Sequence, residues 1–166
     1  MADHEAIFKL AAALVAELAA TGKTVTTAES CTGGWVAKAI TDVPGSSAVF
    51  AYGIVSYSNG AKESLLGVQS QTLQDHGAVS EAVVIEMATG ALGLSGADIA
   101  VAVSGVAGPG GGSAEKPVGT VCFAWATRAG STVQSDVCRE QFNGDRDLVR
   151  ELTVVHALQG IRERID

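Results

Sequence analysis

Apolar residues recur at helical spacing from the start of the chain. Ile7, Leu10, Ala11, Leu14 and Leu18 share one face, which predicts an amphipathic helix from about Asp3 to Ala20. Gly22 supplies its stop. Thr24 to Thr27 then reads as a short strand, followed by the octet Thr27-Ala28-Glu29-Ser30-Cys31-Thr32-Gly33-Gly34. A second helix, Trp35 to Ile40, ends before Pro44-Gly45. Val49 to Ser58 is apolar and β-prone and predicts another strand. Asn59-Gly60 turns the chain into a short helix, Ala61 to Leu66, that carries Lys62. Gln71 to Asp75 makes a further helical turn, closed by His76-Gly77.

Ser80 has the context of an N-cap, with Glu81 in the first turn and Val84, Met87, Ala88 and Ala91 on one face. Asp98 to Val103 is small, branched and apolar on both faces, the pattern of an interior parallel strand. It runs into a glycine-rich loop from Ser104 to Ser113. Gly119 to Thr127 and Thr132 to Glu140 predict a hairpin around Ala129-Gly130. A last helix from about Asp145 is expected to turn Leu148, Leu152, Val155, Leu158 and Ile161 inward. Strands alternating with helices, then a late hairpin, predict an α/β fold. The expected form is a three-layer α/β/α sandwich with a mixed, mostly parallel sheet, built as one domain over 1–166.

Composition narrows the function. The chain is 47% hydrophobic and 17% charged, so most elements should be covered rather than solvated. A net charge of −7 argues against a nucleic-acid partner, which requires a basic footprint. Three cysteines and three histidines lie scattered without ligand spacing, which argues against structural zinc and fits a reducing compartment. The acidic Met1 to Glu5 does not resemble a signal peptide, and no apolar run approaches the ~18 residues of a membrane span. The expectation is a soluble, cytoplasmic protein without a membrane partner.

The octet carries the candidate chemistry. A hydroxyl where a strand turns into a helix can attack a carbonyl, while nearby backbone N–H groups receive the developing oxyanion. Ser30 is the candidate nucleophile, and Cys31, Thr32 and Gly33 are the candidate oxyanion and helix N-terminal positions. Equally open from these residues, Ser30 or Thr32 caps the helix, and Cys31 is a rival nucleophile or a packing residue. No histidine has the context of a triad. Lys62, just past a strand end, is a base if burial lowers its pKa, and otherwise an ordinary surface lysine. The loop from Gly105 to Ser113 matches neither G-x-G-x-x-G nor the P-loop pattern. It reads either as an anion cradle or as a flexible connection, and Arg146 either as an anion ligand or as a surface ion-pair partner.

T-x-A-E-S-C-T-G-G at Thr26 to Gly34, V-S-Y-S-N at Val55 to Asn59 and H-G-A-V-S-E at His76 to Glu81 form an ordered set. It continues with S-G-V-A-G-P at Ser104 to Pro109, E-K-P-V-G-T-V at Glu115 to Val121 and G-D-R at Gly144 to Arg146. The set resembles the CinA C-terminal domain family, whose members include bacterial nicotinamide mononucleotide deamidases. The resemblance covers essentially the whole chain. It implies hydrolysis of nicotinamide mononucleotide to nicotinate mononucleotide and ammonia, with Ser30 as nucleophile and Lys62 as its base. It also associates Tyr57, Ser104 with its neighbour Gly105, and Arg146 with substrate binding, and it requires no cofactor and no metal. Some members carry threonine in place of Ser104, which keeps the hydroxyl. Many relatives carry an additional N-terminal domain resembling molybdopterin-binding proteins, and its activity is not expected from this chain. A homo-oligomer is compatible with the composition. Two other classes stay open: a non-catalytic nucleotide-binding or competence-related regulatory module, and an amidase for another small carboxamide.

Overall fold

The computed structural model describes residues 3–166. Along the chain run α1 (His4–Thr21), β1 (Val25–Glu29), α2 (Trp35–Thr41), β2 (Ile54–Val55), α3 (Asn59–Leu66), α4 (Ser70–His76) and α5 (Glu81–Ser95). Then come β3 (Ile99–Gly105), β4 (Thr120–Ala129), β5 (Thr132–Gln141) and α6 (Arg146–Arg162). One five-stranded sheet has the order β2-β1-β3-β4-β5. β1 pairs parallel with both β2 and β3, while β4 and β5 add antiparallel as a hairpin. The mixed α/β sandwich expected from the sequence is therefore the fold.

The sheet buries two chemically different faces. Ile99, Val101, Val103, Phe123 and Trp125 point toward α1, α2 and α6 and join Leu14, Leu18, Ile40, Leu158 and Ile161 in one core. Ala100, Ala102, Cys122, Ala124 and Ala126 point the other way, against Val84, Met87, Ala88 and Ala91 of α5 and Leu66 of α3. Each fully buried Leu, Ile or Phe contributes about 1.5–3 kcal/mol, so the large-residue face carries most of the hydrophobic stabilisation. The alanine face gives less, but it lets α5 lie close to the strands. Close approach continues outward: a Cβ at Gly90 of α5 would sit 1.9 Å from the Leu66 carbonyl oxygen, so the two helices meet backbone to side-chain-free backbone.

Capping follows the local sequence. The Ser80 hydroxyl accepts from the Val83 amide, the Ser58 hydroxyl from Ala61 and the Asp145 carboxylate from Leu148. Left-handed glycines end α1 at Gly22 and α5 at Gly96.

Three expectations need correction. The strand predicted over Val49 to Ser58 shrinks to Ile54–Val55, with one isolated bridge from Phe50 to Val25. Asn59-Gly60 is not a separate turn but the first turn of α3. On α6 the inward face is Val149, Val154, Ala157, Leu158 and Ile161, together with the polar Glu151 and Thr153, while Leu148 is exposed.

Candidate active site

β1 is buried at all five positions and delivers Ser30 to the carboxyl end of the sheet. The Ser30 amide continues the β1–β3 ladder by donating to the Val103 carbonyl at 3.1 Å. The chain then turns through Cys31 to Gly34 before α2 begins at Trp35, with Gly33 and Gly34 at positive φ. Ser30 is thus not a helix cap, nor is Thr32: the N-cap position is Gly34, which has no side chain to offer.

Glu29 performs the capping instead. Its buried carboxylate accepts from the Val36 amide at 2.8 Å and the Ala37 amide at 3.0 Å, and from the Thr32 hydroxyl at 2.6 Å. Burial pushes the carboxyl above its ordinary value, and these donors pull against that rise. From the other side Arg150 of α6 holds the same turn. Its Nε donates to the Cys31 carbonyl and its Nη2 to the Thr32 carbonyl, each at 3.1 Å, with the guanidinium 5.7 Å from the Trp35 ring centroid. The turn bearing Ser30 is held by the buried Glu29 carboxyl group on one side and by the Arg150 guanidinium on the other.

Lys62 approaches from α3. Its Nζ lies 3.1 Å from the Ser30 Oγ and donates to the Ser56 carbonyl at 2.9 Å. Ser56 is itself tied to β1, its amide donating to the Glu29 carbonyl at 2.8 Å. Lys62 is only 1% exposed, and burial holds its amine below the ordinary lysine value. No carboxylate lies within ion-pair distance of it among the described residues. An amine in this position, once deprotonated, can keep one N–H on Ser56 and turn its lone pair to the Ser30 hydroxyl.

Ser104 follows Val103 on β3, the residue whose carbonyl takes the Ser30 amide, and shares the sheet face of Ala100 and Ala102. It is 2% exposed. Gly105 closes β3, and its bare backbone has a packing cause: a Cβ would lie 2.7 Å from a Val121 methyl and 2.8 Å from the Thr120 carbonyl oxygen. Tyr57, the residue after Ser56, meets Arg146, whose Nη2 donates to the Tyr57 hydroxyl at 3.0 Å and Nη1 to the Gly108 carbonyl at 2.7 Å. The glycine loop reaches Arg146 through a carbonyl oxygen rather than through its N–H groups.

The oxyanion positions divide. The Gly33 amide donates to the Ser30 carbonyl at 3.0 Å and is committed to the turn. Those of Cys31 and Thr32 have no backbone acceptor among the described residues. The Cys31 thiol is buried, and burial pushes it up to about 12, which leaves it a packing residue rather than a thiolate. Sequence reasoning missed Glu29, Ser56 and Arg150. Glu29 had one signal, an acid ending an otherwise uncharged strand.

The model of the CinA C-terminal domain matches residues 7–165. The chain is 57% identical over 159 residues to a nicotinamide-nucleotide amidohydrolase PncC of Escherichia coli K12, covering 96% of this chain and 94% of that one. It is 55% identical over 163 residues to the enzyme of the same name from Enterobacter agglomerans, covering 98% and 95%. The crystal structure of a competence-damaged protein (CinA) superfamily protein from Klebsiella pneumoniae superposes with a TM-score of 0.90 at 43% identity, over 96% of this chain and 97% of that one. The chain belongs to the CinA C-terminal domain family.

Proposed function

We propose that this chain hydrolyses the carboxamide of nicotinamide mononucleotide, giving nicotinate mononucleotide and ammonia, with Ser30 as nucleophile and Lys62 as its base. The names of the relatives supply the substrate, at identities of 55–57% over nearly the full chain. The observation that carries the mechanism is the buried amine of Lys62, 3.1 Å from the Ser30 Oγ.

In this reading neutral Lys62 takes the Ser30 proton as Oγ bonds to the carboxamide carbon. The amides of Cys31 and Thr32 are those left to receive the oxyanion. The Lys62 ammonium then gives its proton to the departing nitrogen, which leaves as ammonia, and an ester joins the nicotinoyl group to Ser30. Water attacks that ester, Lys62 takes the water proton, and the proton returns to Oγ as the acid is released. The sum consumes one water and needs no cofactor. In this reading Arg146, which donates to Tyr57, holds the phosphate.

Ammonia release from a panel of carboxamides tests the reading. Nicotinamide mononucleotide should be the preferred member, with nicotinate mononucleotide appearing in equal amount. Binding of the mononucleotide without ammonia release would instead support a non-catalytic module.

A further inference from the structure

The face of the sheet turned away from Lys62 and α5 carries a second gathering of chemically capable side chains. Cys138 and Glu140 stand two apart on β5, so both point to the same side, where α6 brings His156 down onto them. The Cys138 Sγ lies 3.4 Å from His156 Nε2, and a Glu140 carboxylate oxygen 3.9 Å from the same nitrogen. The donor atoms of all three lie within 4.8 Å of one another. A tetrahedral zinc ion with its usual bond lengths sets neighbouring donors roughly 3.3–3.6 Å apart, so the three need only small rotations to meet on one ion.

The surroundings fit a built site. The His156 ring is walled by Phe123, with centroids 4.5 Å apart, and by Trp125 and Phe142 at 5.8 and 6.3 Å. The donors open on a cleft of about 240 Å³ that Glu163 also lines, leaving a fourth position for its carboxylate or for water. Arg164 lines the cleft too, yet its charge is already met: Nε donates to Asp136 at 3.0 Å, Nη1 lies 3.7 Å from Glu163, and the guanidinium stacks 4.3 Å over Trp125. β5 stands three strands from β1 in the sheet order, roughly 14 Å away, so this cluster is separate from Ser30.

We propose that Cys138, Glu140 and His156 bind a divalent transition-metal ion of zinc type. A thiolate, an imidazole and a carboxylate make a donor set that suits zinc or cobalt and excludes magnesium and calcium, which require oxygen. Thiolate and carboxylate together balance the charge of the ion. The ion would tie the edge strand β5 to α6, a structural role remote from the carboxamide chemistry. The linear spacing of Cys138 and His156 follows no zinc motif; the packing of α6 on β5 is what brings them together.

Cobalt(II) titration of the full chain, stripped with chelator and then dialysed free of it, tests this directly. One equivalent should bind, with visible absorption of a tetrahedral ion and a thiolate-to-cobalt charge-transfer band, and zinc should displace it. Cys138→Ser should abolish the charge-transfer band, and His156→Gln and Glu140→Gln should each weaken binding at least tenfold. Added zinc should raise the Tm of the unmodified chain and leave that of Cys138→Ser unchanged. Unaltered carboxamide turnover in Cys138→Ser verifies that the variant is folded. Absence of a charge-transfer band, a band that survives in Cys138→Ser, or equal affinity in the His156→Gln chain would each overturn the site and leave Cys138 and His156 as a plain hydrogen-bonded pair.

Discussion

The Lys62 Nζ reaches the Ser30 Oγ at 3.1 Å, and its other hydrogen-bond partner among the described residues is the neutral carbonyl of Ser56. A lysine meant to remain charged would be expected to have a carboxylate nearby. Ser30→Ala should therefore abolish ammonia release while changing stability by only about 1 kcal/mol, the scale of one hydrogen bond. Lys62→Arg should be nearly as inactive as Lys62→Ala, because arginine keeps the charge but does not deprotonate in a protein. Steady-state turnover of the three variants checks this, and an active arginine variant would leave the dyad without its base.

Burial sets the sign of the pH response. The folded chain holds Lys62 below 10.5, so between its folded pKa and 10.5 the unfolded chain binds more protons. Stability must rise with pH across that window and stay level below it. The stability difference between the wild type and Lys62→Met should therefore shift in favour of the wild type as pH climbs toward 10.5, measured by denaturant unfolding. The ascending limb of kcat/KM should likewise lie below 10.5. A flat difference would show an unperturbed lysine.

Cys31→Ala should keep turnover within a few fold of wild type. Its thiol, pushed up to about 12 by burial, is protonated at neutral pH, and the side chain packs in the core with α6. The cost should be about 1 kcal/mol of stability for the lost atom contacts. Loss of activity with an intact melting transition would reassign the nucleophile.

Glu29→Gln should lower kcat more than it raises KM. A glutamine offers one acceptor oxygen where the Thr32 hydroxyl and the Val36 and Ala37 amides now use two. About 1–3 kcal/mol of stability should go with the donor left unpaired. Initial rates over a range of substrate concentration separate the two constants, and unchanged kcat would mean that the turn holds Ser30 without this carboxylate.

Among the described residues Arg146 donates to neutral oxygens, those of Tyr57 and Gly108, so its charge is available to a phosphate. Nicotinamide riboside should be a far poorer substrate than the mononucleotide in turnover as well as affinity, because the phosphate orients the carboxamide. Arg146→Ala should narrow that gap by harming the mononucleotide more. Comparison of kcat/KM for both substrates on both proteins decides it, and equal hydrolysis by the unmodified chain would show that the phosphate is not read.

The strands and helices that follow one clean period were legible in the sequence. α1, α5 and the β4–β5 hairpin stand within a few residues of where the pattern put them. β2 was overestimated because β-prone composition does not reveal how much partner strand is available, and β1 offers it only Ala28 and Glu29. The α6 face was misjudged because buried Glu151, Thr153 and Gly160 interrupt the apolar period, while leucines at 148 and 152 imitate it. At the site, Ser30 and Lys62 were visible as polar residues just past strand ends. Arg150 was not, and Glu29 was marked only as an acid ending an uncharged strand, since a side chain that holds a turn through backbone groups leaves no mark in residue spacing.

The bare contact between Gly90 and Leu66 bears on the Lys62–Ser30 pair from beyond the polar groups that touch it. Leu66 lies one helical turn beyond Lys62 on α3, so the depth at which α3 seats against α5 sets how far the amine reaches. A methyl at position 90 would have to displace the Leu66 carbonyl by on the order of an ångström, and α3 is too short to absorb that within its own length. Lys62 would be carried off its bond to Ser30, although residue 90 touches neither. Distances that small are worth orders of magnitude in rate. In this fold the reach of Lys62 toward Ser30 is gauged from behind, by how closely α5 lets α3 approach.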